Sequence, residues 1–279
     1  MTYRELDEAA NRLAHLLSRH GVAAGQCVAL LLERSAKAVV AMLAVLKTGA
    51  AYLPIDLAHP DARIEFMLLD AEPVAAVTTA GLHPRLRGFD LLVVDVDDSA
   101  VDCQPATALP PPAADDIAYL IYTSGTTGVP KGGVAITHKN LAHLADSTPA
   151  ALPAQQVWTQ CHSYGFDFSV WEIWAALLGG GRLVIVPEEV AGSPAEFDAL
   201  LIAEGVTVLT QTPSAVTALS PDGLESTAVL LGGEACPPRR RRRPVGAGPR
   251  RHQCLRPPHR SHGVRHDERT SDGRIGPGT

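Results

Sequence analysis

Residues Tyr122 to Gly133 read YTSGTTGVPKGG, a run of hydroxyl and glycine residues closed by Pro130 and a single lysine, Lys131. Small residues let backbone N–H groups come close to an anion, Ser and Thr hydroxyls add donors, and the lysine supplies positive charge. The stretch reads as a phosphate cradle, with Thr123, Ser124, Gly125, Thr126, Thr127, Gly128 and Lys131 as its contacts. The apolar run IAYLI before it has the composition of a buried strand. THKNLAHL after it reads as a helix with Thr137 as N-cap, which places the loop between a strand and a helix. A Walker A loop is excluded, because its spacing requires glycine at Pro130 and a hydroxyl residue at Gly132. The plain alternative is a solvated Gly/Thr loop; hydroxyl density and the lysine favour phosphate.

Upstream of the loop, Thr2 and Glu5 form a capping box, and Leu6, Ala10, Leu13 and Leu17 line one helical face until Gly21. CVALLLE (27–33) reads as a buried strand, and Ser35 caps a second helix running to about Lys47. Asp61 to Leu69 reads as a helix, and PVAAVTT and DLLVVDV as short strands. The Pro/Ala-rich stretch 103–116 reads as a surface connector and a place where two subdomains can part. Downstream, helical SVWEIWAALL, strand RLVIVP, helical SPAEFDALLIAEG and strands VTVLTQTP and TAVLLGGE follow in alternation. This pattern predicts an α/β fold of layered parallel sheets with flanking helices, with ligands at the C-terminal ends of the strands.

The 279 residues, 46% hydrophobic, suffice for a substantial core. No apolar run approaches the roughly 20 residues of a membrane span, and the acidic, amphipathic N-terminus does not resemble a signal peptide, so a cytoplasmic protein is expected. Five cysteines (Cys27, Cys103, Cys161, Cys236, Cys254) lack any C-x-x-C pair, which suits reduced and mostly buried thiols and predicts no metal site. The net charge of −6 is unevenly spread: residues 237–279 hold 12 of the 24 Lys+Arg and 3 of the 30 Asp+Glu. This tail has no apolar periodicity and is expected to be disordered. As a basic arm it has a second reading, a noncatalytic binding protein that docks on nucleic acid, tested by salt-sensitive binding lost with the tail.

Five stretches in order resemble the adenylate-forming (AMP-forming) ligase superfamily, most closely the amino-acid adenylation domains of nonribosomal peptide synthetases. They are TYREL (2–6), LKTGAAYLPID (46–56), YTSGTTGVPKG (122–132), FDFSVWE (166–172) and LLGGEAC (230–236). The resemblance implies that a substrate carboxylate attacks the α-phosphorus of Mg2+-bound ATP, that pyrophosphate leaves, and that the aminoacyl group passes to the phosphopantetheine of a carrier domain, here in trans. It implies that Thr123 to Lys131 hold the ATP phosphates and that Gly232, Gly233 and Glu234 border the adenine. It implies that a buried Asp167 pairs with the α-ammonium of an amino acid, and that Phe168, Trp171, Thr210, Leu230 and Gly232 line the side-chain pocket. Core packing is the plain reading of Phe168 and Trp171. The Asp-Phe-Trp start resembles threonine-selecting pockets, with Thr210 standing where asparagine is expected. An acyl- or aryl-acid ligase is the alternative within the superfamily, and burial of Asp167 without an ammonium partner argues against it.

Two features depart from the family pattern. Lys131 is followed by two glycines where one is usual, which is expected to lengthen the turn and loosen the lysine's aim. Nothing after Cys236 carries the expected N-A-Y-G-P-T-E motif, ribose-binding aspartate, hinge or C-terminal catalytic lysine. Reverse translation of Arg251–Pro258 in the frame one nucleotide on nevertheless permits V-I-N-A-Y-G-P. Residues 1–236 are therefore expected to be a partial, C-terminally truncated adenylation domain, and residues 237–279 an out-of-frame tail whose arginines and histidines encode no site.

Overall fold

The computed structural model describes residues 1–122, 132–146, 152, 156–235 and 252–254. Helix α1 (Tyr3–Arg19) opens on the predicted capping box, in which the Glu5 N–H donates to Thr2 Oγ1 at 3.3 Å and the Thr2 N–H donates to Glu5 Oε2 at 2.7 Å. β1 (Cys27–Leu30) leads to α2 (Ala36–Lys47), capped by the Ser35 side chain on the Ala38 N–H. β2 (Ala51–Pro54), α3 (Asp61–Ala71), β3 (Ala75–Thr78), β4 (Leu92–Asp95) and the single turn α4 (Ser99–Asp102) follow. β5 (Ile117–Ile121), β6 (Val134–Thr137) and α5 (His138–Asp146) complete the first sheet, ordered β4-β3-β1-β2-β5-β6.

The second sheet is built from β7 (Val157–Gln160), α6 (Asp167–Leu178), β8 (Arg182–Ile185), α7 (Glu188–Ala191), α8 (Pro194–Ala203), β9 (Val208–Gln211), α9 (Pro213–Val216), β10 (Ala228–Leu231) and β11 (His252–Cys254). Its order is β11-β10-β9-β7-β8, with every pairing parallel. The mixed α/β architecture with parallel sheets and flanking helices is the one the alternation of elements predicts.

One expectation needs correction. The Gly/Thr loop joins two antiparallel strands, with Ile121 paired to Val134, so β6 intervenes before the helix; Thr137 still caps that helix, accepting from the Asn140 N–H. Strands from both sides of the 103–116 connector lie in one sheet, β2 beside β5, and the chain changes sheets only after α5. The tail contributes one short strand, since the His252–Cys254 backbone runs parallel to β10. The rest of the tail lies outside the described residues.

Helix α6 holds the two sheets together. It is apolar nearly all round, as a helix buried on both faces must be. Ile173 and Trp174 pack into the core of the first sheet with Leu13, Val45 and Tyr52, while Ala175 and Ala176 pack on Trp158, Val208 and Leu230 of the second. Trp174 Nε1 donates to Tyr52 Oη at 3.1 Å, joining α6 to β2. Arg34, just past β1, donates to the Cys161 carbonyl beyond β7, and Ser163 donates to the carboxylate of Asp56 beyond β2.

Candidate active site

The candidate contacts Thr123, Ser124, Gly125, Thr126, Thr127, Gly128 and Lys131 lie outside the described residues, but both stems of their loop are in view. Tyr122 ends the incoming stem, and its hydroxyl donates to Asp70 Oδ2 at 2.6 Å. Its ring lies close against the outgoing stem: a Cβ on Gly133 would stand 3.0 Å from Cε2 of the ring. Phe66 meets the same ring edge-on, and the Arg63 guanidinium stands 5.8 Å from its centroid. Burial and the Asp70 contact push the Tyr122 phenol well above its ordinary range. The second glycine thus leaves room for the Tyr122 ring at the base of the loop, while Lys131, whose aim the extra glycine is expected to loosen, lies outside the described residues.

The predicted amino-acid and adenine residues come from α6 and from the C-terminal ends of β9 and β10. Phe168, in the first turn of α6, is buried, and its ring covers Gly232 so closely that a Cβ there would sit 2.2 Å from Cζ. Gly233 has φ +78°, and a Cβ there would meet the Phe166 ring at 3.3 Å. Thr210 and Leu230 are register partners on β9 and β10, both buried. Trp171 packs with Leu230 and Trp158, its ring 6.2 Å from that of Trp158, and its buried Nε1–H has no hydrogen-bond partner among the described residues. Glu234 turns away from Phe168, accepting from the Ser214 N–H at 3.1 Å and Oγ at 2.6 Å, and these two donors hold its carboxyl below the usual range.

Asp167 departs from expectation: its side chain is exposed in the first turn of α6, not buried. Its charge acts on Tyr119 of β5, the strand that runs into the Gly/Thr loop. Burial first, and then Asp167, hold that phenol above its ordinary range. Asp167 therefore stands where the two sheets face each other.

Sequence reasoning passed over Cys161, His162 and Glu172, although FDFSVWE contains the glutamate. Glu172 is fully buried one helical turn after Phe168. His162 Nδ1 lies 2.7 Å from its Oε1, and the Cys161 thiol 3.3 Å. These three residue types suit a metal, but the close contacts are hydrogen bonds that already fill the carboxylate. The only sequence signal was the spacing Phe168 to Glu172, four residues apart on one helical face. Of the cysteines with described side chains, Cys27 and Cys161 are buried and Cys103 is exposed.

A family model described as "AMP-binding enzyme" matches residues 1–254. The chain belongs to the AMP-binding enzyme family. Among curated AMP-binding relatives, isonitrile lipopeptide synthase of Mycobacterium tuberculosis (strain ATCC 25618 / H37Rv) is 66% identical over 237 residues, 85% of this chain and 9% of that protein. The dimodular nonribosomal peptide synthase of Bacillus subtilis (strain 168) is 46% identical over 257 residues, 84% of this chain and 11% of its own length. The chain thus spans about a tenth of the length of these two relatives. Among solved AMP-binding structures, the N-terminal subdomain of Klebsiella oxytoca NpsA in complex with 3-hydroxybenzoyl-AMSN superposes with a TM-score of 0.75 at 28% identity, over 85% of this chain and 61% of that one. A nonribosomal peptide synthetase, FmoA3, bound to alpha-methyl-L-serine-AMP gives 0.77 at 26% identity, over 85% and 28%.

Proposed function

We propose that residues 1–236 are the amino-acid-activating part of a nonribosomal peptide synthetase adenylation domain. They would bind an amino acid and Mg2+-bound ATP so that the carboxylate attacks the α-phosphorus, pyrophosphate leaves, and the acyl group passes to phosphopantetheine on a carrier domain. In this reading Thr123 to Lys131 steady the phosphate charge, which is electrostatic positioning more than covalent chemistry. Gly232 and Gly233 border the adenine, and Glu234 stands at the outer edge of that subsite. Asp167 pairs with the α-ammonium through a charge-assisted contact. Phe168, Trp171, Thr210 and Leu230 surround the side chain, threonine being the amino acid their order suggests. Such a protein works in the cytoplasm, and among the described residues no helix is long and apolar enough to cross a membrane.

The observation that carries this reading is the placement of Asp167. It sits on α6 next to Phe168, whose ring covers Gly232, and acts on the strand that enters the Gly/Thr loop. The chain as it stands is read as inactive, because residues 237–279 lack the remaining motifs and permit N-A-Y-G-P one frame on. Amino-acid-dependent ATP–pyrophosphate exchange tests both parts. The present chain is expected to bind Mg-ATP weakly without exchange, and a chain read in the neighbouring frame after Cys236 is expected to exchange. Exchange by the present chain overturns the inactivity; none in the reframed chain, with any acid, overturns the activity.

An aryl-acid ligase is a second reading, favoured by one observation: the exposure of Asp167 removes the argument that its burial demands an ammonium. Exchange driven by a hydroxybenzoate and not by amino acids decides for it.

A further inference from the structure

Glu172 is a fully buried carboxylate. A buried charge is tolerated only when it is paired and hydrogen-bonded, and here both oxygens are in use. Oε2 accepts the backbone N–H groups of Cys161 at 3.2 Å and His162 at 3.3 Å. Oε1 accepts from His162 Nδ1 at 2.7 Å, from the Cys161 thiol at 3.3 Å and from the Thr210 hydroxyl. With Glu172 as a carboxylate, which can only accept, each of these groups is the donor. His162 therefore carries its proton on Nδ1, and Nε2 is left on the far side of the ring. Thr210 commits its hydroxyl hydrogen to Glu172 and has only lone pairs to offer elsewhere.

The location gives these assignments a use. The His162 ring lies 5.2 Å from that of Phe168 and 5.6 Å from that of Phe166, and these two rings cover Gly232 and Gly233. The His162 side chain is 13% exposed, enough for its free edge to meet a small molecule. It stands where the proposed adenine edge meets the proposed side-chain pocket.

We propose that Glu172 is the positioning residue of this site: it locks His162 with Nε2 toward the bound nucleotide and fixes Thr210 as an acceptor in the side-chain pocket. The proposal rests on the reading of Phe168, Thr210 and the glycine pair as ligand-facing. Acting through two other residues, Glu172 needs no contact with the ligand.

Nitrogen NMR of the full chain carrying 15N-histidine tests it, with the His162 signals identified by their loss in His162→Asn. The wild-type chain is expected to show protonated Nδ1, and Mg-ATP is expected to shift the Nε2 signal. Glu172→Gln is expected to lose the single Nδ1–H signature and the Mg-ATP response together, because one amide oxygen cannot serve both sets of donors. A wild-type Nε2–H tautomer overturns the lock, a result that needs no variant to fold. A thermal shift with Mg-ATP that leaves Nε2 unmoved overturns the ligand-facing role, as does a Glu172→Gln chain that responds like wild type. No thermal shift at all overturns the nucleotide-site reading of the previous section and the ligand-facing role with it, while the tautomer still judges the lock.

Discussion

Gly232 shows how a single missing Cβ shapes the candidate site. Its place under the Phe168 ring leaves no room for a methyl group, the nearest ring atom being 2.2 Å from where one would stand. Gly232→Ala must push the ring off its rotamer, and overpacking of this kind costs about 1–3 kcal/mol. Urea unfolding is expected to show that loss, and Phe168→Leu in the same chain is expected to recover part of it, because the two substitutions share one space. The glycine was legible in LLGGEAC; its partner was not, because 64 positions separate Phe168 from Gly232 in the chain. Glu172 was harder still. A glutamate inside SVWEIWAALL reads as the polar point of a helix, and its burial followed only once β7 and β9 had brought Cys161 and Thr210 to meet it.

Helices α1 and α2 were readable in detail, because capping boxes and 3.6-residue periodicity are local properties of the chain. Strand β6 was not, since VAIT is too short to declare itself and pairs with β5 only across the Gly/Thr loop. The helix after it carries a testable titration. His138, the first residue of α5, has its Nε2 buried with no partner among the described residues, and burial lowers its pKa, partly opposed by Asp116. A folded pKa below the unfolded value of about 6.5 means that its contribution is complete above that pH and is lost as pH falls through the folded value. Melting temperature measured from pH 7 downward is expected to fall less steeply for His138→Gln than for the parent chain. Equal slopes would show that the imidazole stays solvated in both states.

At the scale of the whole molecule, α6 between the two sheets is what brings the two halves of the candidate site together. The Trp174 Nε1 to Tyr52 Oη bond is its buried tie to the first sheet. Trp174→Phe keeps much of the packing and leaves the Tyr52 hydroxyl without its donor, a change that costs about 1–3 kcal/mol. Loss of thermal stability is the first expected result. The second is faster amide exchange in both sheets at once, because one helix serves both; exchange raised in the second sheet alone would mean that the first holds α6 by other contacts.

By itself the sequence determined the class of fold, the first two helices and the order of the segments that mark an AMP-binding enzyme. All of these follow from local chemistry: apolar period, capping side chains, glycine and hydroxyl density. Tertiary structure alone decided that Asp167 is exposed and near β5, that Tyr122 clamps Gly133, and that Glu172 gathers Cys161, His162 and Thr210. Each of these joins residues that no short-range pattern couples, and the two-sheet packing around α6 alone sets the distances between them.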